Sequence, residues 1–310
     1  MASIIEVNGL SKVFKDVTAV DNLSFSVPQG EVYGFLGQNG AGKSTTIRML
    51  LTLIQPSGGS ISILGKELAH HRRDVLQQVG AIIEKPDLYK YLTAFENLNM
   101  MAQLSGLRLT KKEALKQLER VELAERADGK VKTFSQGMKQ RLGIACALVH
   151  NPQLIVLDEP TNGLDPQGIA DVRNLILSLS KNEGKTVFVS SHLLSEIEVM
   201  ADSMLIIDRG RKVAEGKASD LLNPSDTLVL LETDNDGRTM NFLAASEWGK
   251  TIQQNGRGIV LKMHRREIPS LNEDLVRQGI RVYSLRAKHS LEDYFLTLTT
   301  ANQHVDAYTA

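Results

Sequence analysis

The chain has 310 residues, and a typical domain size of about 150 residues predicts two domains. Its 36 basic and 36 acidic side chains cancel, so no net field draws it onto nucleic acid, and no nucleic-acid partner is expected. The single cysteine, Cys146, excludes an internal disulfide framework. No stretch approaches the roughly 20 apolar residues of a membrane-spanning helix, and the N-terminus lacks a signal-peptide pattern. A soluble or membrane-peripheral protein is therefore expected.

The first predicted elements are three short strands. Runs rich in β-branched and apolar residues cover 4–7 and 23–27, and the third strand, 31–36, leads into a glycine-rich loop. Phe14 lies between the first two strands, where two interpretations stay open. The ring either packs under a small antiparallel sheet or stacks on a nucleobase.

The glycine-rich loop has the spacing of a phosphate-binding P-loop. Gly37 and the triplet Gly42, Lys43 and Ser44 fit G-x-x-x-x-G-K-[S/T], with a strand before and a helical pattern after. Glycines allow successive backbone N–H groups to surround a triphosphate at a helix N-terminus. Lys43 is predicted to neutralise phosphate oxygens, and Ser44 to offer its hydroxyl to Mg²⁺. The predicted nucleotide-binding residues of this loop are Gly37, Gln38, Asn39, Gly40, Ala41, Gly42, Lys43, Ser44 and Thr45.

The middle of the chain predicts two more strands, 61–65 and 79–83, followed by a helical region. Thr93 begins a sequence with capping-box spacing, and apolar residues over 111–126 fall near one face of an amphipathic helix. Ser135 is predicted to cap the N-terminus of the next, apolar helix.

Two acidic residues end a run of apolar residues, 154–157. A run without alternation is typical of a central parallel strand, and open α/β sheets bind ligands at the carboxyl ends of their strands. Adjacent strand residues point in opposite directions, so Asp158 is assigned to Mg²⁺ and Glu159 to the attacking water. The alternative for both acids is capping of the next helix. His192 follows another buried strand, 186–191, from which it can reach a γ-phosphate.

A predicted hairpin around 204–214 ends the first predicted domain, 1–218, which includes a helical subdomain at about 85–150. The second predicted domain, 219–310, follows a change in composition. It is predicted to be a small α+β unit without a catalytic cluster, with strands at 227–232, 258–262 and 282–285 and helices at 271–278 and 291–298.

These motifs, in this order and spacing, resemble an ATP-binding-cassette (ABC) ATPase over about 4–216. The resemblance is carried by the P-loop and by Phe134-Ser135-Gln136-Gly137-Met138, Leu157-Asp158-Glu159-Pro160, Gly163-Leu164-Asp165 and Ser191-His192. In detail the chain resembles the ATP-binding subunits of type-2 bacterial exporters, the branch that serves antibiotic-peptide resistance and gliding-motility-type transporters. The implied fold is an α/β P-loop NTPase with a parallel-rich sheet core, a small antiparallel β-subdomain, a helical subdomain and a small C-terminal α+β domain.

The resemblance implies ATP and Mg²⁺ as cofactors and a head-to-tail dimer with two ATP molecules in its interface. Ser135 and Gly137 of one subunit would close on the γ-phosphate that Lys43 of the other subunit holds, and Asp165 would couple the two sites. The second subunit would be another copy of this chain or a sister ATPase.

The resemblance also implies roles in hydrolysis. Phe14 would stack on adenine, and His192 would be the switch histidine that acts with Glu159 and Lys43. The helical subdomain would dock on a separate, ABC-2 type membrane-spanning permease. The implied location is cytoplasmic, peripheral on the cytoplasmic face of the bacterial inner membrane.

The chain departs from the family pattern in two places. The signature motif, which typically reads Leu-Ser-Gly-Gly-Gln, is Phe134-Ser135-Gln136-Gly137-Met138 here, and because the serine and the second glycine remain, closure on the phosphate is expected to survive. The glutamine expected after the strand at 79–83 is replaced by Glu84. Glu84 is assigned to Mg²⁺ with Ser44 and Asp158, and the alternative is that it points away and pairs with a surface lysine.

The predicted function is ATP hydrolysis that powers an exporter of a drug, peptide or lipid-like substrate. One alternative is a soluble ABC ATPase that remodels ribosomes or DNA, but such proteins generally carry two cassettes or a long inserted coiled coil, and neither pattern is present. A small-molecule kinase, the other alternative, would need neither Glu159, nor His192, nor the Ser135 motif.

Overall fold

The computed structural model describes residues 2–221, 227–253 and 258–289. The described residues fall into two compact units, one up to Ala218 and the other from Ser219 onwards. Each unit has its own hydrophobic core.

An antiparallel sheet of four strands forms the N-terminal part of the first unit. In spatial order its strands are β2 (Val17–Pro28), β1 (Ser3–Phe14), β4 (Gly58–Ile63) and β5 (Lys66–Glu67). The predicted strands at 4–7 and 23–27 are present but longer. Their pairing continues across several register shifts, which local hydrophobicity does not reveal.

A six-stranded sheet forms the centre of the first unit and is parallel except at one edge. Its spatial order is β10 (Arg211–Lys217), β9 (Ser203–Asp208), β3 (Val32–Leu36), β8 (Thr186–Ser191), β7 (Leu154–Asp158) and β6 (Val79–Ile82). Every residue of β3, β7 and β8 is buried, as expected for strands covered on both faces. The carboxyl ends of β3, β6, β7 and β8 therefore lie at one edge of the sheet.

Four aromatic rings join the two sheets beneath that edge. Phe25 of β2 stacks on Tyr33 and Phe35 of β3 and on Phe188 of β8, with centroids 6.3, 6.0 and 6.3 Å apart. Each such aromatic pair contributes about 0.5–1.5 kcal/mol beyond the burial of its area. These contacts hold one face of the strand that enters the P-loop against the antiparallel sheet.

The helical subdomain contains α3 (Ala94–Leu104), α4 (Lys111–Glu119) and α5 (Gln136–Leu148) around its own apolar cluster. Thr93 forms the predicted capping box, and Ser135 caps α5 as predicted. The single helix predicted over 111–126 is wrong, because α4 ends at Glu119 and Glu122 adopts a left-handed φ of 56°. That turn lets Val121 and Leu123, each 1 % exposed, pack into the cluster.

Five further helices complete the description of this part of the chain. They are α1 (Lys43–Leu50), α2 (Leu68–Leu76), α6 (Pro166–Lys181), α7 (Leu194–Glu198) and α8 (Ala218–Leu221). No helix within the described residues is long and apolar enough to cross a membrane.

The second unit has the order of a split βαβ fold. Its sheet is antiparallel, with the spatial order β12 (Ile252–Gln253), β13 (Ile259–Met263), β11 (Thr227–Thr233) and β14 (Val282–His289). Helices α9 (Asp236–Ala245) and α10 (Ile268–Arg277) complete it. The sequence did not predict α9 or β12, and the predicted helix at 291–298 lies outside the described residues. The two units together confirm the expected fold class.

Candidate nucleotide-binding and catalytic site

The P-loop runs from the end of β3 into the first turn of α1. Gly42 is the N-cap residue of α1 and has φ 102°, a left-handed value that L side chains rarely adopt. A Cβ atom at Gly42 would lie 2.6 Å from the carbonyl oxygen of Ala19, so no larger residue fits. The N-terminal N–H groups of α1 carry partial positive charge and suit a phosphate. Ser44 and Thr45, both half-buried, lie in this first turn.

Lys43 is the buried cation of the site, only 5 % exposed. Its Nζ donates to the carbonyl oxygens of Gly37, at 2.6 Å, and Gln38, at 3.3 Å. The same Nζ forms an ion pair with Oε1 of Glu159 at 3.2 Å. The ammonium group therefore lies between the P-loop and the carboxylate of Glu159, the first residue after β7.

Glu159 connects the other two residues that were predicted to be catalytic, Lys43 and His192. Its other oxygen, Oε2, lies 2.6 Å from Nδ1 of His192, and Oε1 contacts Lys43. Its backbone has φ 50°, and its N–H donates to Oγ of Ser190 at 2.9 Å. A non-glycine residue in this conformation costs about 1–3 kcal/mol, and such strain is concentrated at functional sites.

Asp158 has a buried carboxylate oxygen, Oδ2, that is suited to bind a cation. The residue is 0 % exposed, and Oδ1 accepts from Oγ of Ser190 at 2.5 Å. Oδ2 is buried without a hydrogen-bond partner among the described residues. Ser44 lines the same cavity of about 800 Å³, which Asp158, Glu159 and Glu84 also line. Carboxylate and hydroxyl oxygens are ligands that Mg²⁺ prefers, so these residues fit the metal that the sequence predicts.

Glu84 reaches the wall of this cavity but already has a partner. Its Oε1 accepts from an NH2 nitrogen of Arg48 at 2.7 Å, and its side chain is 64 % exposed. The alternative prediction named a surface lysine, whereas the partner is an arginine of α1. Glu84 has φ 61°, so a glutamate of left-handed backbone conformation follows β6 within two residues, as Glu159 follows β7.

The remaining predicted residues occupy loop and cap positions. Phe14 ends β1, is 45 % exposed and lies 4.9 Å from Nζ of Lys12. It is not buried beneath the sheet, so the packing interpretation is wrong, and the ammonium group of Lys12 lies over its ring. Asp165 caps α6 by accepting from the N–H of Gly168 at 3.0 Å.

In the signature motif, residues 134–138, there is room for a side chain at Gly137. Ser135 Oγ accepts from the N–H of Met138 at 3.2 Å, which fixes the start of α5. A Cβ atom at Gly137 would meet its nearest neighbour at 3.7 Å, an ordinary contact, so packing within this chain does not require glycine there.

The sequence did not predict the contacts by which Ser190 and Ser191 connect the ends of neighbouring strands. Ser190 contacts both Asp158 and Glu159, and the carbonyl of Ser191 accepts from the N–H of Gly37 at 3.3 Å. The signal was the polar end of the strand 186–191, where two serines precede the histidine. Only the histidine was assigned a role.

A strand, a glycine loop, a helix N-terminus and acidic groups at the end of the neighbouring strand define a P-loop nucleoside triphosphatase. Comparison with known proteins narrows this class. Residues 20–162 match the family model described as ABC transporter. The bacitracin transport ATP-binding protein BcrA of Bacillus licheniformis is 41 % identical over 96 % of this chain and 98 % of its own.

A second relative, the linearmycin resistance ATP-binding protein LnrL of Bacillus subtilis (strain 168), is 35 % identical over 96 % of this chain and 98 % of its own. A solved structure of an ATP-binding subunit of an ABC transporter is 34 % identical with TM-score 0.62, covering 71 % of this chain and 92 % of that one. The chain belongs to the family of ABC transporter ATP-binding subunits. It binds and hydrolyses ATP as the ATPase subunit of an ABC exporter.

Proposed function

We propose that this ATPase powers the export of an antibiotic peptide or a related drug or lipid-like compound through an ABC-2 type permease. The relatives named for bacitracin transport and linearmycin resistance support this substrate class, because they match this chain over nearly its whole length. The observation that carries the proposal is the contact of Glu159 with both Lys43 and His192 beside the P-loop.

In this proposal Ser44 and Asp158 hold Mg²⁺. The buried, unpartnered Oδ2 of Asp158 supports the assignment, since an uncompensated buried carboxylate oxygen is costly. When bound, the metal supplies positive charge that balances the phosphate oxygens during transfer. Glu84 is a third candidate oxygen donor at the same cavity, on the condition that it leaves Arg48.

Glu159 is the proposed general base, and His192 holds its carboxylate in position while facing the γ-phosphate. Both residues follow buried strands whose carboxyl ends are adjacent in the sheet, which keeps them at a fixed separation. Lys43 is shared between Glu159 and the phosphate. The ammonium group therefore connects nucleotide binding to the position of the base.

The proposed dimer places Ser135, Gly137 and Asp165 against the nucleotide of a second copy or a sister ATPase. The open space at Gly137 and the partial exposure of Phe14 support this, since both leave room for a ligand or partner beyond this chain. Phe14 would stack on adenine.

The proposed permease contact is an apolar groove in the helical subdomain. A cavity of about 290 Å³ opens between the segment after β6 and helices α3 and α5, and its walls include Ile82, Pro86 and Met101. Tyr89 and Tyr91, 60 % and 80 % exposed, lie on the same loop segment. Exposed aromatic groups beside an apolar groove mark interaction sites. The segment that lines the groove lies next to Glu84 in the sequence, and Glu84 lines the nucleotide cavity. A movement of Glu84 on nucleotide binding would therefore be passed to the bound permease.

We further propose that 1–218 forms the nucleotide-binding domain, with its helical subdomain at about 85–150, and that 219–310 is an accessory domain. The division of the described residues at Ala218 and Ser219 supports this boundary. The proposed location is the cytoplasmic face of the bacterial inner membrane, where ATP and a membrane permease are both accessible.

The proposal is tested by affinity purification of the tagged full chain from detergent-solubilised membranes. Recovery of a membrane protein with several predicted transmembrane helices supports the exporter, whereas ribosomal or DNA-repair proteins contradict it. Tyr91→Ala combined with Met101→Glu should reduce that recovery at least tenfold. Tyr283→Ala, at an aromatic residue of the second unit that is 72 % exposed, is the matched control and should retain it.

A further inference from the structure

We infer that Glu196 is a positioning residue for ATP hydrolysis, because its carboxylate joins the segment that follows Glu159 to the segment that carries His192. The inference rests on the proposed roles of Glu159 and His192. Glu196 is half-buried on α7, the short helix that begins two residues after His192.

One oxygen of Glu196 accepts two hydrogen bonds from different parts of the chain. Oγ1 of Thr161 donates to Oε2 at 2.8 Å, and Oγ of Ser191 donates to the same Oε2 at 2.7 Å. Thr161 and Ser191 are 3 % and 2 % exposed. An ionised carboxylate oxygen accepts such bonds strongly, and both acceptor positions of Oε2 are used.

Thr161 and Ser191 each lie within two residues of a proposed catalytic residue in the sequence. Thr161 is two residues beyond Glu159, and its carbonyl accepts from the N–H of Leu164 at 3.2 Å, in the loop that leads to α6. Ser191 directly precedes His192. Glu196 therefore determines how the two segments lie relative to each other where they leave the sheet.

Ser191 also extends the connection to the P-loop. Its hydroxyl accepts from the N–H of Leu193 at 3.0 Å while it donates to Glu196, so the orientation of the hydroxyl is fixed. Its carbonyl oxygen accepts from the N–H of Gly37 at 3.3 Å. A shift of Ser191 would therefore move His192 relative to the first glycine of the loop.

Ser190 performs a different task, and the two should not be interchangeable. The hydroxyl of Ser190 fixes Asp158 and the backbone of Glu159 within the sheet. Glu196 lies outside the sheet and joins Ser191, the last residue of β8, to Thr161 in the loop that follows β7. Without Glu196 two buried hydroxyls lose their shared acceptor, and the segments are free to move.

The geometry predicts which substitution is tolerated. Both hydroxyls use one oxygen, so the amide oxygen of Glu196→Gln can accept both bonds without the charge. Glu196→Ala removes the acceptor. A misplacement of about 1 Å in a catalytic group can lower turnover about 100-fold, so Glu196→Ala should lower kcat roughly 10- to 100-fold.

The test measures kcat and KM for Mg-ATP in the full chain, with ATP affinity by calorimetry. Glu196→Ala should lose kcat while KM and affinity change less than about twofold, and Glu196→Gln should recover kcat to within about threefold of wild type. The matched control is Glu198→Ala, an exposed glutamate of the same helix, which should behave as wild type. A double variant, Thr161→Val with Ser191→Ala, should reproduce the loss even if Glu196→Ala is poorly folded.

The inference is overturned if Glu196→Ala turns over normally, if Glu196→Gln is as slow as Glu196→Ala, or if ATP affinity falls in parallel with kcat. A further arm adds Glu196→Ala to Glu159→Gln. Because Glu196 acts by positioning Glu159 and His192 together, the double variant should lose less than the product of the two single losses, and a fully multiplicative loss contradicts the inference. Normal turnover by Glu159→Gln would instead contradict the proposed function, which separates the two failures.

Discussion

Replacement of Glu159 by glutamine should affect hydrolysis and ATP binding in opposite directions. A positioned general base contributes about 10²- to 10⁴-fold to a rate, so Glu159→Gln should lose most of its turnover. The same substitution removes the negative charge that lies 3.2 Å from the ammonium group of Lys43. The phosphate then no longer competes with Glu159 for that cation.

The size of the binding effect follows from the distance. At 3.2 Å and an effective dielectric constant of about 20, one ion pair is worth roughly 5 kcal/mol before desolvation and side-chain entropy are counted. The glutamine oxygen can still accept from Lys43, and Gly37 and Gln38 hold the same ammonium group. We therefore expect only part of this energy to appear, about 1.4 kcal/mol, or a tenfold gain in ATP affinity.

The assay combines phosphate release at saturating Mg-ATP, calorimetry of ATP binding and the elution volume with ATP present. Glu159→Gln should release phosphate at least 100-fold more slowly, bind ATP more tightly and elute as a dimer. Glu198→Gln, at an exposed glutamate of α7, is the control and should match wild type in all three measurements. Near-native phosphate release would refute the assignment of Glu159 as the base. Slow release with unchanged affinity would refute the competition for Lys43.

Three further predictions concern other parts of the molecule. Lys43→Ala should weaken ATP binding by about 1.5–3 kcal/mol, the worth of a charge-assisted bond, and unchanged affinity in calorimetry would contradict it. Glu84→Gln should keep hydrolysis but lower its Mg²⁺ requirement, and superimposable Mg²⁺ titrations of wild type and variant would leave Glu84 no role at the metal. Arg48→Gln removes the other partner of the exposed ion pair with Glu84, and it should lower the stability of the protein by only about 0–1 kcal/mol. A chain that ends at Ala218 should fold and bind ATP, and loss of binding in a folded truncation would show that the boundary is wrong.

The parts of the fold that the sequence predicted are those with a strong local pattern. The buried strands β3 and β7 and the centre of β8 appear as apolar runs, and the P-loop has fixed spacing between a strand and a helix. The rule that parallel strands place ligands at their carboxyl ends was enough to bring Glu159 and His192 together. Neither prediction required knowledge of long-range side-chain contacts.

The contacts that escaped prediction join residues far apart in the chain without a local signal. Arg48 on α1 pairs with Glu84, and Thr161 pairs with Glu196, because the sheet order brings the ends of these elements together. α4 ends early for a similar reason, since burial of Val121 in the helical subdomain outweighs continuation of an amphipathic helix. Tertiary contacts decided these positions, and the sequence alone could only leave them open.

The separation of tasks between Asp158 and Glu159 depends on one backbone conformation. Asp158 is the last residue of a parallel strand and stays in the sheet, whereas Glu159 immediately adopts φ 50°. Strand alternation alone predicts only that the two side chains diverge. The left-handed turn, held by the bond from the N–H of Glu159 to Ser190, takes its carboxylate to Lys43 and His192. Glycine would adopt this turn without strain, so the strained backbone at Glu159 is explained by the contacts of its carboxylate with Lys43 and His192, and not by the turn itself.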